Sequence, residues 1–362
     1  MSKAAELAAL IGSQTAQTGR NMAYNGAMNI SQRSTSVTGI GASSGYFTVD
    51  RFKLAPNGTA GRLTMTQTAI TDLPGFANAL KLDCTTADTS VAAAEFLILS
   101  QFFEGQDLQR LKKGTSEAES VTLSFYVKGN AAATYTVELY DADNNRSISQ
   151  RFSVTTSWSR VSLTYVGDTT GALDDDNAAS LIVNIWLHAG SDYTSGTQNT
   201  VWQTLAGTER ANSSDTSFFD STNRTFFMTG VQLEIGDVAT PFEHEDFGTT
   251  LAKCQRYYYQ LAQGSYMIVG MNDTTSNCET TFGLPVEMRA DPALGTSGTS
   301  SEYSIRQNGS NITCDGGPTI LGSGGKNVVG IRFTKGSALN TSFASYCFGN
   351  TSGADLKLDA EL

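Results

Sequence analysis

The feature that most constrains this chain is a series of short segments in which apolar and polar residues alternate, each closed by turn-forming residues. In VTLSFYVKG (121–129), Val121, Leu123, Phe125 and Val127 alternate with Thr122, Ser124, Tyr126 and Lys128. Successive side chains of an extended strand point to opposite faces of a sheet, so this pattern describes a strand with one apolar and one polar face. Similar runs predict strands at 46–54, 62–67, 79–83, 95–101, 120–128, 134–140, 147–154, 159–166, 180–187 and 225–235. Pro56-Asn57-Gly58, the 141–145 run DADNN and a Ser/Asn/Thr-rich loop at 189–217 supply turn signals between them. Many short strands with regular turns predict an all-β chain of β-sandwich, jelly-roll-like domains.

The alternation breaks twice. Leu7, Leu10 and Ile11 stand at helical spacing and predict a short N-terminal helix over 3–11, followed by a polar linker, so that 1–17 form a separate element. A helix that short is marginal alone in water and needs a surface to cover its apolar stripe. Sister chains or a socket on another protein could supply one. At 249–261, Leu251, Cys254, Tyr258 and Leu261 predict a linking helix, with Thr249 or Thr250 as N-cap, running into a strand near 257–259. It marks a boundary between a first domain at 18–247 and a second β domain at 248–362, with strands at 266–271, 278–284, 303–307, 327–334, 343–348 and 355–361. A chain of 362 residues is long enough for two cores. No repeat of fixed period is present.

Composition then excludes several classes. Only 16% of residues are charged and the net charge is −11, with no basic cluster denser than Arg110, Lys112 and Lys113, which argues against a nucleic-acid partner. No run has the length of a membrane-spanning helix, and Met1 to Leu10 lacks the apolar core of a signal peptide, so synthesis in a cytoplasm is expected. The five cysteines, Cys84, Cys254, Cys278, Cys314 and Cys347, are odd in number and scattered, as buried reduced thiols would be rather than a disulfide framework. His188 and His244 have no metal-ligand spacing to any cysteine, so no metal site is expected.

Catalytic motifs fail on context. Gly41-Ala-Ser43-Ser-Gly45 matches GxSxG in letters, but it precedes a strand instead of joining a strand to a helix. The 141–145 run opens like a calcium loop yet has Arg146 where Gly is required and Phe152 where Glu is required; a hairpin turn explains it better. The acidic run Asp174-Asp175-Asp176 reads as a solvated loop, with a bound hard cation as the alternative. No catalytic residue and no cofactor is assigned. Trp158 and Trp186 lie in strand patterns and read as core. Tyr193 and Trp202 fall in the long 189–217 loop and are the candidate glycan contacts, with loop anchoring as the equal alternative.

Several stretches resemble a family of phage tail-fibre-type or virion structural proteins common in marine phages. They are RNMAYNGAMNISQR (20–33), GYFTVDRF (45–52), FEGQDL (103–108), VTLSFYVKG (121–129), GVQLEIGDVATPFEHEDFGTTLAKCQRYYYQL (230–261), LPVEMRA (284–290) and LDAEL (358–362). The resemblance implies a carbohydrate-binding-module-like jelly roll, a trailing β domain, residence in the virion after synthesis in the host bacterial cytoplasm, and other virion proteins as partners. The habit of that family, together with the short N-terminal stripe, makes a homotrimer the expected state; a socket on another protein is the alternative. Modules of that kind often hold a structural calcium; the matching positions here are Asn29 and Gly230, neither a carboxylate, so that ion is not carried over. The expected function is a surface-projecting adhesin that binds a host glycan or protein without catalysis. A capsid decoration or head fibre with a purely architectural role is the alternative. A depolymerase is a third reading, disfavoured by the absence of repeats.

Overall fold

The computed structural model describes residues 19–261, 268–296, 299–322, 325–350 and 354–362, together with Lys3. The Leu7, Leu10 and Ile11 stripe of the predicted N-terminal helix lies outside the described residues. The chain is all-β and divides into two compact units, Met1–Thr250 and Leu251–Leu362.

The first unit is a sandwich of two antiparallel sheets. One has the order β1 (Ser36–Ile40), β4 (Arg62–Ala69), β5 (Asn78–Thr86), β13 (Thr225–Ile235), β7 (Val121–Gly129) and β10 (Ser159–Tyr165). The other has the order β12 (Gln203–Thr204), β9 (Arg146–Val154), β8 (Ala133–Asp141), β11 (Ala179–Ala189), β6 (Phe96–Glu104), β3 (Lys53–Asn57) and β2 (Gly45–Tyr46). Their inward residues meet in the core, where Leu123, Phe125 and Met228 face Leu99, Val183 and Ile185. Each fully buried side chain of this size contributes about 1.5–3 kcal/mol before the entropy of ordering is counted.

Three local features depart from the sequence pattern. The predicted strand at 46–54 is two strands, because residues 47–52 turn and Arg51 takes φ 71°. The Asp50 carboxylate fixes that turn by accepting the backbone N–H and the amide of Gln32 at 3.0 and 2.6 Å. The polar face of β7 is buried at Thr122 and Ser124. There the segment after β13 covers it: Thr122 donates to the Gly236 carbonyl at 2.8 Å, and Arg160 bridges Ser124 to the Thr240 carbonyl. Finally, the helix between the units, α1 (Phe247–Gln255), starts earlier than predicted. Its cap is Asp246, whose carboxylate accepts the Thr249 N–H at 2.9 Å and the Thr249 hydroxyl at 2.6 Å. A carboxylate at a helix start serves the free N–H groups and the helix dipole together, which a threonine hydroxyl does not.

The second unit packs a three-stranded sheet, β14 (Tyr258–Gln260), β23 (Leu356–Asp359) and β17 (Ala293–Thr296), with a seven-stranded one. The latter runs β19 (Ser310–Thr313), β18 (Tyr303–Gln307), β22 (Ala344–Gly349), β15 (Ile268–Asn272), β16 (Asn277–Gly283), β21 (Val328–Thr334) and β20 (Gly316–Ile320). Leu356 and Leu358 meet Ile305, Ile331 and Phe333 in its core. Gly270 lies between Cys278 and Cys347 on the flanking strands, and the missing side chain lets the two thiols meet at 3.3 Å. All five cysteines are buried thiols.

Candidate functional site

The outer face of the seven-stranded sheet of the first unit carries two adjacent cross-strand rows. Residues paired directly across strands share a face. Phe102 on β6, Ile182 on β11 and Tyr140 on β8 are such partners, and all three are half-buried. The next row is Tyr46, Lys53, Ser100, Asn184 and Glu138. The Lys53 ammonium sits 4.9 Å from the centre of the Phe102 ring and 5.7 Å from that of Tyr46. An apolar strip of two rings and an isoleucine thus lies beside a strip of hydrogen-bonding groups, on a rigid sheet.

The polar strip is locked by a buried network. Glu138 is fully buried and accepts a two-pronged bond from Arg210, Nε at 2.8 Å and Nη2 at 2.7 Å. The Asn184 amide and the Trp186 indole also donate to Glu138, at 3.0 and 3.2 Å, and Ser100 is bonded to Asn184 at 2.7 Å. Burial pushes the Arg210 guanidinium down, but the Glu138 carboxylate outweighs it and holds the group above its ordinary range. The same guanidinium lies 4.9 Å from the Trp186 ring and 5.4 Å from the Tyr140 ring, so it fixes the edge of the platform.

The 189–217 segment is not a free loop. It starts with a helical turn at Ser191–Thr194, adds β12 to the sheet edge and brings Arg210 over the sheet face. Tyr193 packs its ring 5.4 Å from Phe96 and 5.2 Å from Trp186. Trp202 donates its indole N–H to the Val166 carbonyl at 2.7 Å, beneath the Lys113 ammonium at 5.5 Å. Lys113 is itself held by Asp141 and Asp168 at 2.5 and 3.0 Å. Burial works to raise the Asp168 carboxyl, yet Arg146 and Lys113 keep it below its usual range. The two aromatics named from the sequence therefore have different neighbours, and each has a packing partner. Trp186 is buried as expected, whereas Trp158 is half-exposed on the other sheet, its indole bonded to Asp72 at 2.9 Å.

Sequence reasoning missed Tyr46, Phe102 and Tyr140. Alternation along each strand places Phe102 and Tyr140 on a face opposite the buried Phe103 and Leu139, which was a readable signal; their adjacency was not. Ser43 of the GxSxG letters is exposed in a turn before β2, with no helix following. A cleft of about 540 Å³ around Leu108, Lys112, Ser116 and Leu173 is lined by no aromatic ring. Among the described residues no helix is long and apolar enough to cross a membrane.

No protein-family model matches the chain, and no curated protein matches it in sequence. Among solved structures it is similar to the enzymatically active domain of tailspike protein 4 of bacteriophage CBA120, with 11% identity and a TM-score of 0.32 over 60% of this chain and 22% of that one. The chain thus spans about a fifth of that protein's length. It is also similar to a family 4 carbohydrate-binding module (11% identity, TM-score 0.30, 59% of this chain and 98% of that one). A family 11 module from Clostridium thermocellum, solved with a mixed-linked tetrasaccharide, gives 10% identity and a TM-score of 0.30 over 55% and 99%. Superposition this partial leaves the residues on the sheet face as the ground for a functional reading.

Proposed function

We propose that this chain is a non-catalytic glycan-binding protein of a phage particle, projecting from its surface, with the outer face of the seven-stranded sheet as its binding surface. The observation that carries this reading is the strip Phe102–Ile182–Tyr140 beside the locked polar row Ser100–Asn184–Glu138. A pyranose has apolar C–H faces and hydroxyl edges; the ring-lined strip suits the faces and the half-buried Tyr46 and Lys53 suit the hydroxyls, while Ser100, Asn184 and Glu138 are buried and hold the strip in place. Placement on paired strands fixes the geometry more tightly than a loop would. The resemblance to virion proteins supports the particle as its location. On this reading Tyr193 and Trp202 contribute as the loop's fixings or as rim contacts, and the same experiment separates the two roles.

The test is a glycan array with the whole chain, followed by affinity and melting measurements on variants. Tyr140→Ala and Phe102→Ala are each expected to weaken binding by about 30-fold, the loss of roughly 2 kcal/mol that marks a central contact. Trp202→Ala is expected to lower the melting temperature while binding per folded molecule is kept; weakened binding at unchanged stability would move the site to the loop. Trp158→Ala serves as the control on the opposite sheet. No bound glycan would leave the architectural role, and release of reducing sugar would overturn the non-catalytic reading.

The proposed state is a homotrimer joined through the apolar stripe near the N-terminus. Light scattering at micromolar concentration is expected to give three times the chain mass, and antibody against the chain is expected to label intact particles. A clean monomer would favour a socket on a partner, and unlabelled particles would remove the virion assignment.

A further inference from the structure

We propose that Asp88, Glu95 and His188 form a binding site for a divalent transition-metal ion of the Zn²⁺ type, pinning the segment between β5 and β6 to the end of β11. The three residues are buried, and one ligand atom from each lies within 4.8 Å of the other two. Zinc binds imidazole nitrogen and carboxylate oxygen at about 2.0–2.2 Å, so small side-chain rotations close the three groups on one ion. Spacing along the chain conceals the set, because His188 comes from a strand far from the other two.

The polar accounting around His188 points to a ligand. Its Nδ1 is bonded to the Ser217 hydroxyl at 2.7 Å, and the Phe219 ring packs on the imidazole at 5.5 Å, so the ring is held in place. Its Nε2 is buried and makes no hydrogen bond, although Glu95 Oε2 stands 3.5 Å away. A proton there is poorly placed to reach the carboxylate, and a lone pair there faces two acidic groups. Both arrangements cost free energy in a buried site, since a polar group without a partner loses its hydration for nothing. A cation between them removes both difficulties.

The carboxylates are oriented by hydrogen bonds but, among the described residues, lack a cationic side chain. Asp88 accepts the Thr59 hydroxyl at 2.8 Å and the Ala60 N–H at 2.7 Å on Oδ2, and the Ser90 N–H at 3.3 Å on Oδ1. Glu95 Oε2 accepts the Ala92 N–H at 3.0 Å. Among the described residues no Lys or Arg pairs with either group, so two acidic side chains share a buried corner with one imidazole. Carboxylate oxygens have capacity beyond these bonds, and bonds of this kind orient a ligand toward its ion. A cleft of about 290 Å³, lined by Ser217, Val91 and Gly190, borders His188 but neither carboxylate. One imidazole and two carboxylates leave a fourth position for water and favour zinc over calcium, which prefers an all-oxygen shell.

The experiment uses the whole chain, stripped with chelator and titrated with Zn²⁺ and, separately, Ca²⁺. One equivalent of Zn²⁺ is expected to bind and raise the melting temperature, with no matching effect of Ca²⁺. Glu95→Gln and His188→Gln are expected to lose more than 100-fold in zinc affinity, and Thr59→Val, which removes a bond orienting Asp88, about 10-fold. Circular dichroism of each metal-free variant establishes that it has folded. Co²⁺ substituted for Zn²⁺ is expected to give a spectrum without thiolate charge transfer. Absence of stoichiometric zinc, binding unchanged by Glu95→Gln, or a thiolate signal from the buried cysteines would each overturn the site.

Discussion

Glu138→Ala is expected to cost about 3–5 kcal/mol of stability, because it leaves the Arg210 guanidinium partly buried without its counter-charge. Arg210 is only 18% exposed at the side chain and Glu138 is at 0%. Asn184 and Trp186 lose an acceptor in the same step. In a unit of this size the loss corresponds to a fall in melting temperature of roughly 6–20 °C. Denaturant titration of the whole chain measures it, with the first unit followed through its tryptophans, since Trp158, Trp186 and Trp202 all lie there. The paired change Glu138→Met with Arg210→Met is expected to recover most of the loss, because a buried ion pair replaced by apolar groups of similar volume is close to neutral. A single variant as stable as the parent would show that the network does not hold the 189–217 segment to the sheet. The glycan reading requires that segment in place, so Glu138→Ala is also expected to weaken binding beyond its effect on the folded fraction.

Gly230→Val is expected to cost about 2–5 kcal/mol, from two causes that add. Gly230 takes φ 64°, in the left-handed region, where a side chain costs about 1–2 kcal/mol. A Cβ there would also lie 2.8 Å from the Phe76 ring and 2.9 Å from the Tyr126 ring. Those rings pack on each other at 5.3 Å, and Phe76 packs on Phe242 at 5.1 Å, so neither moves freely, and overpacking costs about 1–3 kcal/mol. The residue sits where the register of β13 against β7 shifts between Thr229 and Gln232. Gly230→Ala is expected to cost less than Val. Gly39→Ala isolates the backbone part, since Gly39 has φ 72° with nothing within 4 Å of its added Cβ. Equal effects at the two positions for valine would remove the steric contribution, and no effect at Gly230 would remove both.

Much of the fold was legible. The alternation in 121–129 placed Leu123, Phe125 and Val127 inward, and all three are buried in the core. The turn residues of 141–145 do close the β8–β9 hairpin, with Asp141 accepting the Asn144 N–H at 3.0 Å and Asn145 at φ 52°. What misled was the assumption that a polar face is a wet face. Thr122 and Ser124 are buried by a segment that follows β13, more than a hundred residues later in the chain. The Ser/Thr/Asn composition of 189–217 likewise matched a long polar loop, but those groups bond to the sheet they cover, as the Thr216 hydroxyl does in accepting the Thr134 N–H at 3.1 Å.

The sequence by itself determined which residues lie on each face of a strand, because that choice depends only on the two-residue period of an extended backbone and on the free energy of burying apolar groups. It therefore determined the all-β class and much of the core. Strand order and register belong to tertiary structure alone, since they are settled by hydrogen bonds between segments distant in the chain. That pairing sets Phe102 beside Ile182 and Tyr140, and it carries His188 to Asp88 and Glu95. One residue of slippage in any of those strands would turn the site residues toward the core, and no local pattern records which register wins.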